Sequence, residues 1–272
     1  MIVYLNNAFI DINKARIGAT DRGFTLGDGV FDTMLCVNGA PQDFKLHIAR
    51  LLAHAAVLRI NTTHTIESLE PVATALLRRN GFKTGRHVLR TTLTRGPGER
   101  GLFPPDTPTP TLLMTLSAAP ESTPLHAAIA TGTRRNGHSP LSRIKSLQYG
   151  DNLLALLEAK ERGANEALIM NTEDHVVCGS TSNIFILEED RVLTPPLSDG
   201  ALDGITRAGI MKTIRVKEHS LTVERLRMAE GIYLTNSVYG IRPVEMLDGQ
   251  PIASRNAFFE NLVTSLSLPA AA

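Results

Sequence analysis

Prolines at 104, 105, 108, 110, 120 and 124 make one stretch of this 272-residue chain denser in proline than any other. Proline lacks the N–H that helix and sheet ladders use, and it pushes the residue before it toward extended backbone. Such a stretch accommodates one short strand, read at Thr111 to Ser117. The run Ala119-Pro120-Glu121-Ser122-Thr123-Pro124 that follows has the composition of a boundary loop. Two domains are therefore expected, a small one over 1–117 and a larger one over 124–272, joined by a linker at 118–123. The length suits two modest cores.

On each side of that stretch the apolar period switches between two and 3.6. Met1–Leu5, a turn at Asn6-Asn7, Ala8–Ile10 and Val30–Val37 read as strands, and Asn38-Gly39 is the signal of a type I′ hairpin. Ile48, Leu51, Leu52, Ala55, Ala56 and Leu58 recur at helical spacing within 45–60, as do Leu69, Val72, Leu76 and Leu77 within 66–79. A strand at Val88–Thr94 leads into the Gly/Pro turn of 95–101. In the second half, strands are expected at 125–132, 167–170, 183–187, 192–194 and 232–235. Helices are expected at 152–163, 206–214, 223–228 and 257–266, the first with Leu153, Leu156 and Leu157 forming its apolar face. Mixed α and β in two domains is the reading.

Lys plus Arg number 28 against 27 Asp plus Glu, so no basic surface for nucleic acid or anionic membrane is indicated. A small-molecule substrate is expected. Two cysteines are too few for a disulfide framework, polar residues interrupt the first six positions, and no apolar stretch approaches bilayer length. These features predict a cytoplasmic protein with neither membrane nor nucleic-acid partner. No metal site is expected.

Lys145, in Arg143-Ile144-Lys145-Ser146-Leu147, sits at what reads as a half-buried strand end with a helix directly after it. Desolvation there would favour the neutral amine that a Schiff-base nucleophile needs, although a lone lysine beside an arginine is more often a surface group. Gly204-Ile205-Thr206 opens a helix and could offer N–H groups and a hydroxyl to a phosphate, or be an ordinary cap. Arg50, beside His47 on the first long helix, is a second phosphate candidate or a solvated charge. Thr235-Asn236-Ser237 is either a turn or part of a phosphate cradle.

Seven separated motifs, in order, resemble the fold-type IV (class IV) pyridoxal-phosphate enzymes, which include D-amino-acid and branched-chain aminotransferases and aminodeoxychorismate lyase. They are Asp21-Arg22-Gly23-Phe24 with Gly27–Phe31, His47–Leu51, Thr94-Arg95-Gly96 with Arg100-Gly101, Ile144–Leu147, Gly179–Phe185, Leu202–Arg207, and Thr235-Asn236-Ser237. The resemblance implies an α+β, two-domain, D-amino-acid-aminotransferase-like fold, with a small N-terminal α/β sandwich and a larger C-terminal pseudo-barrel carrying the cofactor lysine. It implies pyridoxal 5′-phosphate as cofactor, bound at Lys145, with Arg50, Ile205 and Thr206 on its phosphate and Ser237 lining its pocket. It also implies a homodimer in which one subunit lends a loop to the other's site.

The chain departs from the family at Cys178, which stands where a glutamate normally pairs with the pyridine nitrogen. A neutral thiol supports a protonated ring poorly. Thr33 after Phe31-Asp32, and the stretch Thr94–Leu102, are lyase-like. Leu102 stands where D-amino-acid enzymes use a histidine on the substrate carboxylate. Arg95 and Arg100 are candidates for that carboxylate, or solvated turn residues. The expectation is a 4-amino-4-deoxychorismate lyase of folate synthesis, releasing pyruvate and 4-aminobenzoate, with Lys145 and Thr33 as catalytic groups. An aminotransferase on D- or branched-chain amino acids and a non-catalytic cofactor-binding homologue are the alternatives.

Overall fold

The computed structural model describes residues 1–254 and 257–265. The chain divides into two compact units, Met1–Pro120 with Ile144–Gln148, and Glu121–Arg143 with Tyr149–Ala272. The expected placement of Lys145 in the C-terminal domain is corrected by this division. The segment around it pairs with a strand of the first unit and is part of that unit's sheet edge.

In the first unit, β1 (Ile2–Leu5), β2 (Ala8–Asp11), β3 (Gly29–Val37), β4 (Ala40–Pro41), β5 (Arg86–Thr94) and β6 (Thr111–Ala118) form one antiparallel sheet in the order β2-β1-β6-β5-β3-β4. Asn38 and Gly39 both take positive φ, 49° and 78°, as a type I′ hairpin between β3 and β4 requires. A one-turn helix, α1 (Arg22–Leu26), precedes β3, and α2 (Phe44–Val57) and α3 (Ile66–Arg79) follow it.

α2 packs on β3, α3 packs on β1, and the two helices pack on each other. Ile48 and Leu51 of α2 and Leu69, Leu76 and Leu77 of α3 are buried, each worth about 1.5–3 kcal/mol of transfer free energy. Strand alternation buries Val30, Met34, Leu89, Leu93, Leu112 and Met114, all of one parity within their paired register. The opposite face carries Phe31, Thr33, Arg90, Thr92 and Thr115. Apart from the buried Phe31, these are half-buried.

The second unit is built on a nine-stranded sheet. Its members are β7 (Leu125–Ile129), β8 (Glu166–Met170), β9 (Val176–Gly179), β10 (Asn183–Glu188), β11 (Arg191–Thr194), β12 (Val216–Glu218), β13 (Gly231–Asn236), β14 (Gly240–Leu247) and β15 (Gln250–Pro251). The path β10-β13-β14-β7-β8-β9 closes on itself through Asn183↔Cys178, which makes the expected pseudo-barrel. Its interior holds Leu125, Leu168, Met170, Ile184, Ile186, Leu234 and Val244. Helices α4 (Gly150–Glu161), α5 (Ile205–Thr213), α6 (Val223–Met228) and α7 (Ala257–Ser265) complete the unit. The helix expected to reach Leu266 is described to Ser265, and Leu266 itself lies outside the described residues.

The apolar face expected on α4 is inverted. Ala155 and Ala159 are buried against Ala128, Ala167 and Ile169, whereas Leu153, Leu154 and Leu157 are exposed. Small alanines let the helix lie close on the strands, and the bulkier leucines are left outside. No helix among the described residues is long and apolar enough to cross a membrane.

Candidate active site

The first unit gathers Lys145, His54, Phe31, Arg90 and Thr33 along the first half of β3. The Lys145 segment runs antiparallel beside that strand. Phe31 donates its N–H to the Lys145 carbonyl at 2.9 Å, Leu147 donates to the Gly29 carbonyl at 3.0 Å, and Val30 bridges Ser146. The Lys145 N–H donates to Nδ1 of His54, on α2, at 3.1 Å. Lys145 is half-buried as expected, with Nζ 4.3 Å from the centre of the Phe31 ring. Arg90, opposite Thr33 in the β3–β5 register, places its guanidinium carbon 3.6 Å from the same ring centre. Two cations thus flank one aromatic ring, with the Thr33 side chain on the same face of the sheet.

On the other face of β3, Asp32 is wholly buried and accepts from Arg50 Nε and Nη2, and from His47 Nδ1, each at 2.8 Å. Burial pushes this carboxyl up, but the bonds and charges of His47 and Arg50 outweigh that, holding it well below the usual carboxylate range. Arg50 is therefore no solvated helix charge. The bidentate pair fixes its guanidinium plane one helical turn from His54, the residue that touches the Lys145 backbone.

Arg95 does something other than was expected of it. It is buried, binds Asp28 through Nε and Nη2, and caps the end of α2 by donating to the carbonyls of Leu58 and Arg59. Its donors are spent on the fold, and a substrate carboxylate would have to break them. Arg22 acts similarly, binding Asp28 and the carbonyls of Gly101, Leu102 and Phe103, so it straps the loop that carries Arg100. Arg100, Leu102 and Phe103 on that loop are exposed. Burial raises the Asp28 carboxyl, and the two arginines more than reverse it, so it titrates below its ordinary range.

In the second unit, the remaining candidates collect at one rim of the barrel. There β9 ends at Gly179, β10 starts at Asn183 and β13 ends at Asn236. The Asn183 amide donates to the Leu202 carbonyl, and a Cβ on Gly204 would lie 2.0 Å from Asn183 Oδ1, so the entry to α5 is locked onto this rim. Gly204 is the N-cap of α5 and no side chain caps it, so the first-turn N–H groups of Ile205 and Thr206 are not met by a capping side chain. Arg207 is buried and ion-paired to Glu218 and Asp203, which anchors the same turn. Ser182 Oγ and Thr235 Oγ1 are buried at the rim without a hydrogen-bond partner, and Ser237 is half-buried just beyond β13. An uncapped helix start with orphaned hydroxyls beside it fits a phosphate group.

Cys178 is buried on β9, packed with Ala128, Ala155, Ala159, Ala167, Ile169 and Ala201. Burial raises its thiol and the nearby Arg135 guanidinium opposes the rise without reversing it. Burial thus favours the thiol over the thiolate at residue 178.

The profile described as "Amino-transferase class IV" matches residues 29–247. The chain belongs to the class IV aminotransferase family, whose members are pyridoxal-phosphate enzymes. A Methanocaldococcus jannaschii protein provisionally named a branched-chain-amino-acid aminotransferase is 33% identical over 94% of this chain and 91% of its own length. Among solved structures, the branched-chain aminotransferase of Thermoproteus uzoniensis is similar with a TM-score of 0.91, at 25% identity, covering 98% of this chain and 93% of that one. A Legionella pneumophila protein provisionally named a 4-amino-4-deoxychorismate lyase is similar with a TM-score of 0.87, at 27% identity, covering 94% and 96%.

Arg90 escaped the sequence reading, which sought carboxylate partners in the glycine-rich turn. A charge at the centre of a β-branched strand was the one local signal.

Proposed function

We propose that this chain is a 4-amino-4-deoxychorismate lyase, releasing pyruvate and 4-aminobenzoate. The observation that carries the reading is the stack of Lys145 and Arg90 on Phe31, with Thr33 on the same face. A flat ring carrying carboxylates matches an aromatic floor, a guanidinium fork and an amine. The similarity to the Legionella protein supports the same reading.

Pyridoxal phosphate, when bound, supplies the electron sink for the bond that breaks. Lys145 would hold it. Arg50, the Ile205 and Thr206 N–H groups and the Thr206 hydroxyl would bind its phosphate, with Ser237 beside them. Lys145 Nζ takes the proton from the substrate carbon that bears the amine. The Thr33 hydroxyl positions a proton near the departing pyruvate oxygen. Arg90 takes the substrate carboxylate in place of Arg95, and Arg100 contributes through the exposed loop at 100–103, covered by a second subunit in a homodimer.

The second reading, an aminotransferase on branched-chain or D-amino acids, is favoured by the Methanocaldococcus relative. Purified protein loaded with pyridoxal phosphate should show a visible absorption band that Lys145→Ala abolishes. Given 4-amino-4-deoxychorismate, the wild type should release 4-aminobenzoate. Amino-group exchange between amino and keto acids without 4-aminobenzoate release would replace the lyase reading with the second.

A further inference from the structure

Residue 178 has surroundings that bear on how the cofactor ring is held. Cys178 of β9 belongs to one buried cluster with Ala128 of β7, Ala167 and Ile169 of β8, Ala155 and Ala159 of α4, and Ala201 after the short turn at 197–199. None of these can bind or release a proton. Two charged groups act on the thiol, Arg135 and Glu166.

Arg135 is fixed in place. Its Nε donates to the Gly200 carbonyl at 2.7 Å, its Nη2 to the Ser142 carbonyl at 2.6 Å, and its backbone N–H to Met170. Glu166 is turned away. It shares the strand face of Leu168 and Met170, inside the barrel, whereas Cys178 lies on the face of Ala167 and Ile169. One Glu166 oxygen is already held by the N–H groups of Ala167 and Ser180, at 2.9 and 2.8 Å.

A protonated pyridine nitrogen carries an N–H and needs an acceptor, best an anion. A thiol is a weak acceptor and a guanidinium has donors only. An unprotonated nitrogen is an acceptor, which suits both S–H and guanidinium N–H. We propose that this chain holds the ring nitrogen of its cofactor unprotonated, with Cys178 and Arg135 as a donor pair where ring protonation would need an anion. The inference rests on the proposed function and on residue 178 facing that nitrogen, as the family motif places it. It deepens that reading. A weakened electron sink penalises exchange of amino groups more than an elimination whose product becomes aromatic, so the pair biases the site toward the lyase reaction.

The test uses holoenzyme reconstituted with pyridoxal phosphate labelled with 15N in the ring, read by 15N NMR. The wild type should show the shift of an unprotonated pyridine. Cys178→Glu should move it to the pyridinium position, and Cys178→Ser, which keeps a small donor and controls for packing, should leave it unmoved. A pyridinium shift in the wild type overturns the inference. So does a Cys178→Glu enzyme whose nitrogen stays unprotonated, since residue 178 would then not govern it. Loss of the proposed function has a different signature, a holoenzyme that releases no 4-aminobenzoate whatever its ring shift.

Discussion

Replacing Asp32 by Asn should remove a charge on which one face of the first unit depends. The side chain is wholly buried, and its oxygens hold both Arg50 and His47. The amide keeps one acceptor but turns an NH2 group toward a guanidinium, leaving the half-buried Arg50 without that anion. Breaking such a pair costs about 3–5 kcal/mol, consistent with roughly 4 kcal/mol for unit charges 4 Å apart at an effective dielectric near 20. At about 2–4 °C per kcal/mol for a chain of this size, the melting temperature should fall by on the order of 10 °C. Urea unfolding at stepped pH isolates the cause. The folded carboxyl titrates well below its unfolded value of about 3.9, so its contribution is complete above that pH and is lost as pH falls toward the folded value. Below about pH 3.9, wild type should lose its advantage over Asp32→Asn by about 1.4 kcal/mol per pH unit, while the gap stays flat from pH 5 to 7. A gap under about 1 kcal/mol at neutral pH, or one unchanged down to pH 3, would refute the argument.

Three further outcomes follow from the structure. Arg90→Met should raise KM roughly tenfold or more, the worth of one charge-assisted bond. Arg95→Met should instead lower the melting temperature with KM nearly unchanged, because its donors serve Asp28 and the end of α2. Gly96→Ala should cost at least about 2 kcal/mol in urea unfolding. Its φ is +87° and an added Cβ would meet the Thr109 carbonyl oxygen at 1.8 Å.

The periodic segments were readable because each had one face to bury. Val30–Val37, 66–79 and 183–187 carry their apolar residues at the spacing of a strand or a helix, and the structure forms those elements there. β9 was missed because Val176–Gly179 is four residues long and buried throughout, so it has no alternation to see. β14 was missed because Arg242-Pro243 interrupts its apolar run, yet Val244 and Leu247 sit in the barrel core. The leucines of α4 misled because helical spacing says which residues share a face and not which face is covered. Of the candidate site, Lys145, Arg50 and the Gly204–Thr206 turn were singled out by motifs alone. The Asp32 network, Arg90 and the structural work of Arg95 depend on pairing across β3, β5 and α2, and local sequence carries no record of those partners.

Ribosomal synthesis gives the return of Ile144–Gln148 to the first unit a consequence in time. When Pro120 has left the exit tunnel, the six strands of that unit are all present, yet the start of β3 has no neighbour on its outer side. The N–H of Phe31 and the carbonyl of Gly29 wait for a stretch of chain some two dozen residues further on. An unpaired edge of this kind invites foreign strands. Lys145 therefore arrives as the stopper of an open edge. A nascent chain that stalled in the intervening segment would hold a nearly finished domain with its most adhesive border uncovered.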